Sequence, residues 1–481
     1  MPRVTMFSKQ RHIALITFLA CQLGTAMAQD QLAASQVEQP AGWDAGLVLP
    51  TPTDLNPDPD ILEINLEAVI KELEILPGKK TRVWTYNGSL PGPLLKLKVG
   101  DRLIVHFKNS LPEATSIHWH GLRISNAMDG VPGFTQPDIN PGEEFTYDYT
   151  VPDAGTFWYH PHVNSAAQVG FGLYGPMVVA DPAEPKVFGD ELILMFSDMS
   201  LDTEGQLQSP KAGGRFGDLF GREGNVLLVN GKVLPTLKVR QGKQQRWRVI
   251  NAARTRYYTL RYKRSPLVIL GGDGGFAART RTVNEIKLVP GERYDFVFTP
   301  PEAPGSEGIL KWYPTERGYG STYNRLAEDL INIVTVDEPA VTPAAIPEQL
   351  REIAPLPIDG AKEQLLNMTI GYDSNDDVIM GFNGVHHDHA VPIMAKVGET
   401  QVWTVKNDTD FSHPFHMHGF FFQVLNPATG VVEWKDTVDV PLHSELKLAV
   451  KFDNRSGMWM YHCHILDHAD VGMMGHLHVN P

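Results

Sequence analysis

Cysteine is almost absent from this chain of 481 residues, and positive charge is not in excess. The cysteines are Cys21 and Cys463, so no intramolecular disulfide can form if Cys21 is removed with an export signal. A single unpaired cysteine in an exported protein needs another role, such as metal ligation. The net charge of −14 argues against nucleic acid or an anionic membrane surface as a partner.

Long hydrophobic runs are also missing, which predicts that the chain has no membrane span. The apolar run Ile13–Leu19 is short, follows basic residues and precedes Ala26-Met27-Ala28, a pattern typical of a signal peptide cleavage site. The basic residues are Arg3, Lys9 and Arg11. Residues 1–28 are therefore predicted to be a signal peptide, which implies a periplasmic or secreted protein. An incomplete lipoprotein box before Cys21 leaves lipid anchoring as the alternative.

Histidine, in contrast, is plentiful and clustered. Ten of the 18 histidines fall in four motifs, each built on a His-x-His pair, once His413 and His468 are included. The pairs are His118-Trp119-His120, His160-Pro161-His162, His416-Met417-His418 and His462-Cys463-His464. Clustering of this kind disfavours incidental histidines and indicates metal binding.

The segment around Cys463 predicts two metal sites placed back to back. Side chains alternate between the faces of a strand, so His462 and His464 point away from Cys463. Cys463, His468 and Met473 supply a thiolate, an imidazole and a thioether. One further histidine would complete a blue-copper site.

One sequence unit occurs three times. Asn87-Gly88, Asn230-Gly231 and Asn383-Gly384 lie 143 and 153 residues apart, and each precedes a strand, a glycine turn and a second strand. No histidine occurs between His162 and His386, so the middle unit is predicted to act as a spacer without copper. The pattern predicts an arm over 29–60 and all-β sandwich domains over 61–183, 184–340 and 341–481.

With these motifs in place, the chain resembles the three-domain multicopper oxidases, which include laccases, ascorbate oxidase and bacterial cuprous oxidases. The resemblance is carried by His118-Trp119-His120-Gly121, by His413-Pro414-Phe415-His416-Met417-His418-Gly419 and by His462-Cys463-His464-Ile465. It implies three consecutive cupredoxin-like Greek-key β-sandwich domains. It also implies four coppers per chain, one of type 1, one of type 2 and a type 3 pair.

The resemblance assigns twelve copper ligands. The type 1 ligands would be His413, Cys463, His468 and Met473, and the type 2 ligands would be His118 and His416. The type 3 ligands would be His120, His160 and His464 on one copper, and His162, His418 and His462 on the other.

The sequence also offers candidates for a proton path. Asp129 matches the family's acidic residue near the type 2 copper, where it would orient a ligand or water and deliver protons, although an Asp before Gly130 is also an ordinary turn residue. Bacterial relatives usually carry a Glu directly after the histidine equivalent to His468, and Ala469 stands here. Asp467 or Asp470 is the alternative relay.

The predicted function is oxidation of phenols or aromatic amines, one electron at a time, coupled to four-electron reduction of O2 to water. The alternative is a Cu(I) or Fe(II) metallo-oxidase in copper tolerance, and a Met-rich insertion near the blue site, typical of that class, is missing. A non-catalytic cupredoxin scaffold is disfavoured because all twelve ligands are present. The partners are then O2 and a small-molecule or metal-ion reductant, and the protein is predicted to be a monomer.

Histidines outside these motifs carry weaker signals. His386-His387-Asp388-His389 is either a peripheral metal site or a solvated loop. His476 and His478 share a strand face, and no family ligand corresponds to them, so they are predicted to be structural.

Overall fold

The structure, a computed structural model, describes residues 47–185, 187–319, 325–375 and 377–481. The predicted signal peptide and Cys21 lie outside these residues. Across the described ranges, strands form six sheets that pair into three sandwiches, which confirms the predicted all-β fold. None of the helices described has the length and apolar character needed to cross a bilayer.

The first sandwich packs the sheet β2-β1-β4-β6 on the sheet β3-β8-β7-β5. Its strands are β1 (Ile61–Leu76), β2 (Lys79–Tyr86), β3 (Leu95–Lys98), β4 (Arg102–Asn109), β5 (His118–His120), β6 (Glu144–Thr150), β7 (Gly155–His160) and β8 (Gly175–Ala180). Neighbouring strands such as β1 and β4 are distant in sequence, so the connections cross between the sheets. Helix α1 (Ser165–Gly170) follows the second His-x-His pair.

The second sandwich pairs a six-stranded sheet, β10-β9-β12-β17-β14-β15, with a five-stranded sheet, β11-β19-β18-β13-β16. The six-stranded sheet contains β9 (Asp190–Met199), β10 (Val226–Val229), β12 (Gln245–Asn251), β14 (Leu267–Gly272), β15 (Gly275–Val283) and β17 (Arg293–Phe298). The other contains β11 (Thr236–Val239), β13 (Tyr258–Tyr262), β16 (Ile286–Leu288), β18 (Glu307–Tyr313) and β19 (Glu328–Thr335). Helix α2 (Gly214–Phe220) projects toward the third sandwich.

The third sandwich pairs the sheets β21-β20-β23-β27-β25 and β22-β29-β28-β24-β26. The first contains β20 (Lys362–Tyr372), β21 (Val378–Phe382), β23 (Thr400–Asn407), β25 (Phe422–Val424) and β27 (Ser444–Lys451). The second contains β22 (Ile393–Lys396), β24 (His413–Met417), β26 (Thr437–Val440), β28 (Gly457–Cys463) and β29 (Met474–Asn480). Helix α3 (Leu466–Asp470) follows β28 directly.

The threefold repeat is confirmed at its turns. Asn87, Asn230 and Asn383 have φ values of 53°, 49° and 55°, and the glycine after each also has positive φ. Two consecutive residues with positive φ define the tight turn for which Asn-Gly is preferred. The predicted boundaries at 183 and 340 fall between β8 and β9 and between β19 and β20.

Candidate metal centre

The predicted ligands form two groups separated by β28. Cys463 packs into the core of the third sandwich, whereas the rings of His462 and His464 lie on the opposite side, with centroids 5.4 Å apart. The alternation predicted from the sequence is therefore confirmed. All the histidines of both groups are buried apart from His162, which is partly exposed.

The smaller group contains Cys463, His413 and His468. The Sγ atom of Cys463 lies 3.6 Å from Nδ1 of His413 and 3.7 Å from Nδ1 of His468. The two Nδ1 atoms are 3.0 Å apart. Three soft or borderline donors therefore converge on one point from two strands and a helix.

Hydrogen bonds on the far side of each ring orient this group. The Nε2 atom of His413 is 2.9 Å from the Thr409 hydroxyl, and Nε2 of His468 donates to the Leu219 carbonyl at 3.1 Å. When both Nε2 atoms carry the proton, both Nδ1 lone pairs face Cys463. Burial lowers the pKa of His468 to about 3, so the ring is neutral, as a metal ligand must be.

Met473 and Met474 occupy different surroundings. Met473 is fully buried in the same core cluster as Cys463. Met474 is partly exposed, and on strand β29 it pairs with His462 of the adjacent strand β28. The burial and the register place Met473 with the smaller group.

The larger group contains eight histidines contributed by the first and third sandwiches. Strand register sets His118 beside His160 and His416 beside His462. Sets of ligand atoms within 4.8 Å of one another include His162 with His418 and His462, His118 with His120 and His160, and His118 with His416 and His418. The cluster therefore forms only when the two sandwiches meet.

Protein oxygens again fix the ring orientations. Four rings donate from Nδ1 to a backbone carbonyl oxygen, and the acceptors are Asp129 for His118, Pro161 for His160, Asp436 for His416 and Cys463 for His462, at 2.7, 3.0, 3.0 and 2.8 Å. Among these, Nε2 of His118, His160 and His416 is buried without a partner. His120 is reversed, with Nδ1 unpartnered and Nε2 lying 3.3 Å from Asp436 Oδ1.

Unpartnered nitrogens of this kind require an occupant, because a buried polar atom without a partner is costly. Both ring nitrogens of His464 are also buried and unpartnered. Burial lowers the pKa of His464, and neighbouring histidines lower it further. Neutral imidazoles beside a thiolate site are the donor set that suits copper, so the residues fit the metal that the sequence predicts.

Asp129 contacts two of these histidines. Its Oδ2 atom accepts a hydrogen bond from Nδ1 of His418 at 2.9 Å, and its backbone carbonyl accepts one from Nδ1 of His118 at 2.7 Å. Its Oδ1 atom is buried and has no hydrogen-bond partner. The residue is thus more than a turn former before Gly130.

Asp467 and Asp470, the alternative proton relays, both accept hydrogen bonds that connect separate parts of the fold. Asp467 accepts hydrogen bonds from Arg222 and Thr255 of the second sandwich. Asp470 accepts hydrogen bonds from the backbone N–H groups of Ser165 and Ala166, and burial raises its pKa to about 7.

Sequence reasoning missed the contribution of the middle sandwich. Besides the Leu219 carbonyl, this sandwich supplies Arg293, whose guanidinium pairs with Asp436 behind the larger group. Neither Arg293 nor Asp436 belongs to a motif, so no spacing in the sequence identifies them. The middle unit supports both groups and is not simply a spacer.

Comparison with known proteins gives a consistent result. Family models described as multicopper oxidase match residues 69–184, 190–306 and 358–481. The multicopper oxidase mco of Staphylococcus aureus is 31% identical over 432 residues, which cover 86% of this chain and 88% of that protein. The laccase of Bacillus subtilis is 28% identical, with 89% and 96% covered.

Solved structures agree with the fold. A multicopper oxidase from Campylobacter jejuni, described as a metallo-oxidase, superposes with a TM-score of 0.82 at 30% identity, covering 94% of this chain and 98% of that one. A multicopper oxidase from Pseudomonas thermotolerans gives 0.73 at 30% identity, with 87% and 99% covered. The chain therefore belongs to the multicopper oxidase family, whose members are copper oxidoreductases that use O2 as the electron acceptor.

Proposed function

We propose that the two groups hold four coppers, with the ligand assignment that the sequence predicts. The smaller group, His413, Cys463 and His468 with Met473 as the axial ligand, would hold type 1 copper. His118 and His416 would hold type 2 copper, and the remaining six histidines would hold the type 3 pair. The support is the set of unpartnered ring nitrogens in the larger group and the convergence of Nδ1 of His413 and Nδ1 of His468 on Sγ of Cys463 in the smaller group.

When bound, copper supplies one-electron redox chemistry at the thiolate site and four-electron reduction of O2 at the histidine cluster. The protein connects the two sites by a short covalent route, because Cys463 is the direct chain neighbour of both His462 and His464. Asp129 holds His118 and His418 in position. Its unpartnered Oδ1 is placed to hold a proton beside the cluster.

The electron donors are, we propose, phenols or aromatic amines. The observation that carries this proposal is the layer that covers the smaller group, in which the Thr409 hydroxyl and the Leu219 carbonyl lie within hydrogen-bond distance of Nε2 of His413 and Nε2 of His468. Thr409 and Leu219 are both 8% exposed. The partly exposed Phe220 packs edge to face on the buried Phe411 in this layer, with centroids 5.2 Å apart, and offers an aromatic surface to an aromatic donor.

A metallo-oxidase acting on Cu(I) or Fe(II) is the second candidate. The similar protein from Campylobacter jejuni is described as a metallo-oxidase.

Steady-state oxygen consumption with a phenol, Cu(I) and Fe(II) as donors separates these candidates. The proposal expects the phenol to give the highest kcat/KM, and Phe220→Leu to lower that value while Fe(II) oxidation is unchanged. Phe145→Leu, a partly buried ring in the first sandwich, is the matched control. A far higher kcat/KM for either metal ion would instead assign the protein to the second candidate.

The proposal also covers the domain limits, the cellular location and the oligomeric state. We infer domains over 61–183, 184–340 and 341–481, supported by the three family matches. The signal pattern in residues 1–28 supports export to the periplasm or medium. We propose a monomer, because the described cluster takes all its ligands from one chain.

A further inference from the structure

A row of sulfur and nitrogen donors crosses three neighbouring strands of the third sandwich. Met394 on β22 pairs with His478 on β29, and His478 pairs on its other side with Met458 on β28. One imidazole therefore stands between two thioethers in a single row across the sheet.

This row lies on the outer face of the sheet. The residues that alternate with it, Trp459, Leu477 and Val479, are buried in the core of the sandwich. Met394 is 44% exposed, and Met458 and His478 are partly exposed. Within the described residues, the His478 ring has no hydrogen bond, ion pair or ring contact, so its nitrogens are free to bind a ligand.

The spacing suits a metal ion. Directly opposed residues on adjacent strands have Cβ atoms about 5 Å apart, so two flexible methionine side chains can lean toward the imidazole between them. Thioethers are soft ligands that select Cu(I) over harder divalent ions. Two thioethers with one imidazole therefore form a donor set for a soft monovalent cation.

The same face continues toward the histidine cluster. The next pair is Met460 with His476, and the one after is Met474 with His462, a predicted type 3 ligand. Successive pairs are two residues apart, or about 7 Å. The Phe134 ring lies 5.4 Å from the His476 ring.

We propose that Met394, Met458 and His478 form a surface site for one Cu(I) ion, separate from the twelve predicted copper ligands. The site gives His478 a binding role in place of the structural role predicted from the sequence. It does not depend on which donor the oxidase uses. The row of donors behind it leads from solvent toward His462.

Silver(I) is the probe for this site, because it shares the charge and closed d shell of Cu(I) and does not donate electrons to the enzyme. Titration of the fully copper-loaded protein, followed by native mass spectrometry and calorimetry, is expected to show one Ag(I) per chain with the blue absorption unchanged. The Met394→Leu/Met458→Leu variant and His478→Gln should each weaken silver binding by at least about tenfold.

Matched controls are Met128→Leu and His106→Gln in the first sandwich, which should bind silver as the wild type does. Retained blue absorption and an unchanged Tm verify that the row variants are folded. X-ray absorption at the silver edge should show sulfur and nitrogen ligands. Absence of tight silver binding, equal binding by the row variants and the wild type, or bleaching of the blue band by silver would each overturn the proposal.

Discussion

The guanidinium of Arg293 donates two hydrogen bonds to the carboxylate of Asp436, at 2.7 and 2.6 Å, and both residues are buried. Arg293 belongs to the second sandwich and Asp436 to the third. Burial raises the pKa of Asp436, but the attraction of Arg293 outweighs this and holds the pKa well below 3.8. An ionised carboxylate is thus kept 3.3 Å from Nε2 of His120.

Replacing Arg293 by an uncharged residue should lower the free energy of unfolding. Arg293→Met leaves Asp436 and Asp273 buried without their shared partner, and breaking a buried pair in this way costs about 3–5 kcal/mol. Denaturant unfolding of the copper-loaded protein measures the loss. Arg261→Met, which breaks an exposed pair with Glu285, is the control and should cost at most about 1 kcal/mol. Equal effects from the two substitutions would contradict a special role for Arg293.

Asp295 should contribute stability that depends on pH. It accepts hydrogen bonds from Arg246, Arg248 and Thr156, and although burial raises its pKa, the arginines lower it below 3.8. A pKa below the unfolded value means that the stabilisation is present above about pH 4 and is lost as pH falls further. Asp295→Asn should therefore lower the thermal unfolding midpoint at pH 7 more than at pH 3. A constant difference across this range would show that ionisation of Asp295 is irrelevant.

Metal content tests the assignment of the smaller group. The wild type should bind four coppers per chain and show an intense blue colour. Cys463→Ser should lose the colour and retain three coppers, because the thiolate belongs only to that group. Elemental analysis after full reconstitution provides the count. Two or fewer coppers in the wild type would refute the four-copper assignment.

Loss of a proposed type 2 ligand should leave the proposed blue site intact. His118→Ala and His416→Ala each remove a ring from the larger group, whereas Cys463 lies on the other side of β28. Both variants should keep the blue absorption and lose oxygen consumption by at least about a hundredfold, as expected when an essential catalytic group is removed. His106→Ala, an exposed histidine paired with Glu63, should retain full activity. Continued turnover in either cluster variant would reassign that histidine.

The axial position distinguishes two adjacent methionines. Met473→Leu removes a thioether while nearly conserving volume, which should raise the reduction potential of the blue site. Met474→Leu should leave it unchanged, because Met474 pairs with His462 on the other face of the sheet. A redox titration of both variants decides the assignment. The opposite result would make Met474 the axial ligand.

Patterns local in sequence predict much of this protein. Alternation along a strand is enough to separate Cys463 from His462 and His464, because successive side chains leave a strand on opposite faces. The Asn-Gly turns are equally local, since positive φ at both positions is a property of the dipeptide itself. Paired histidines at strand spacing share a face without help from the rest of the chain.

Contacts between segments that are distant in sequence cannot be predicted from local patterns, and only the tertiary structure determines them. Arg293 reaches Asp436 across 143 residues, and the Leu219 carbonyl reaches His468 across 249. Met394, Met458 and His478 become neighbours only through strand order and register. The sequence therefore predicts the His-x-His motifs. It does not predict the groups that orient the histidine rings or place charges beside them, because the positions of those groups depend on how three sandwiches pack together.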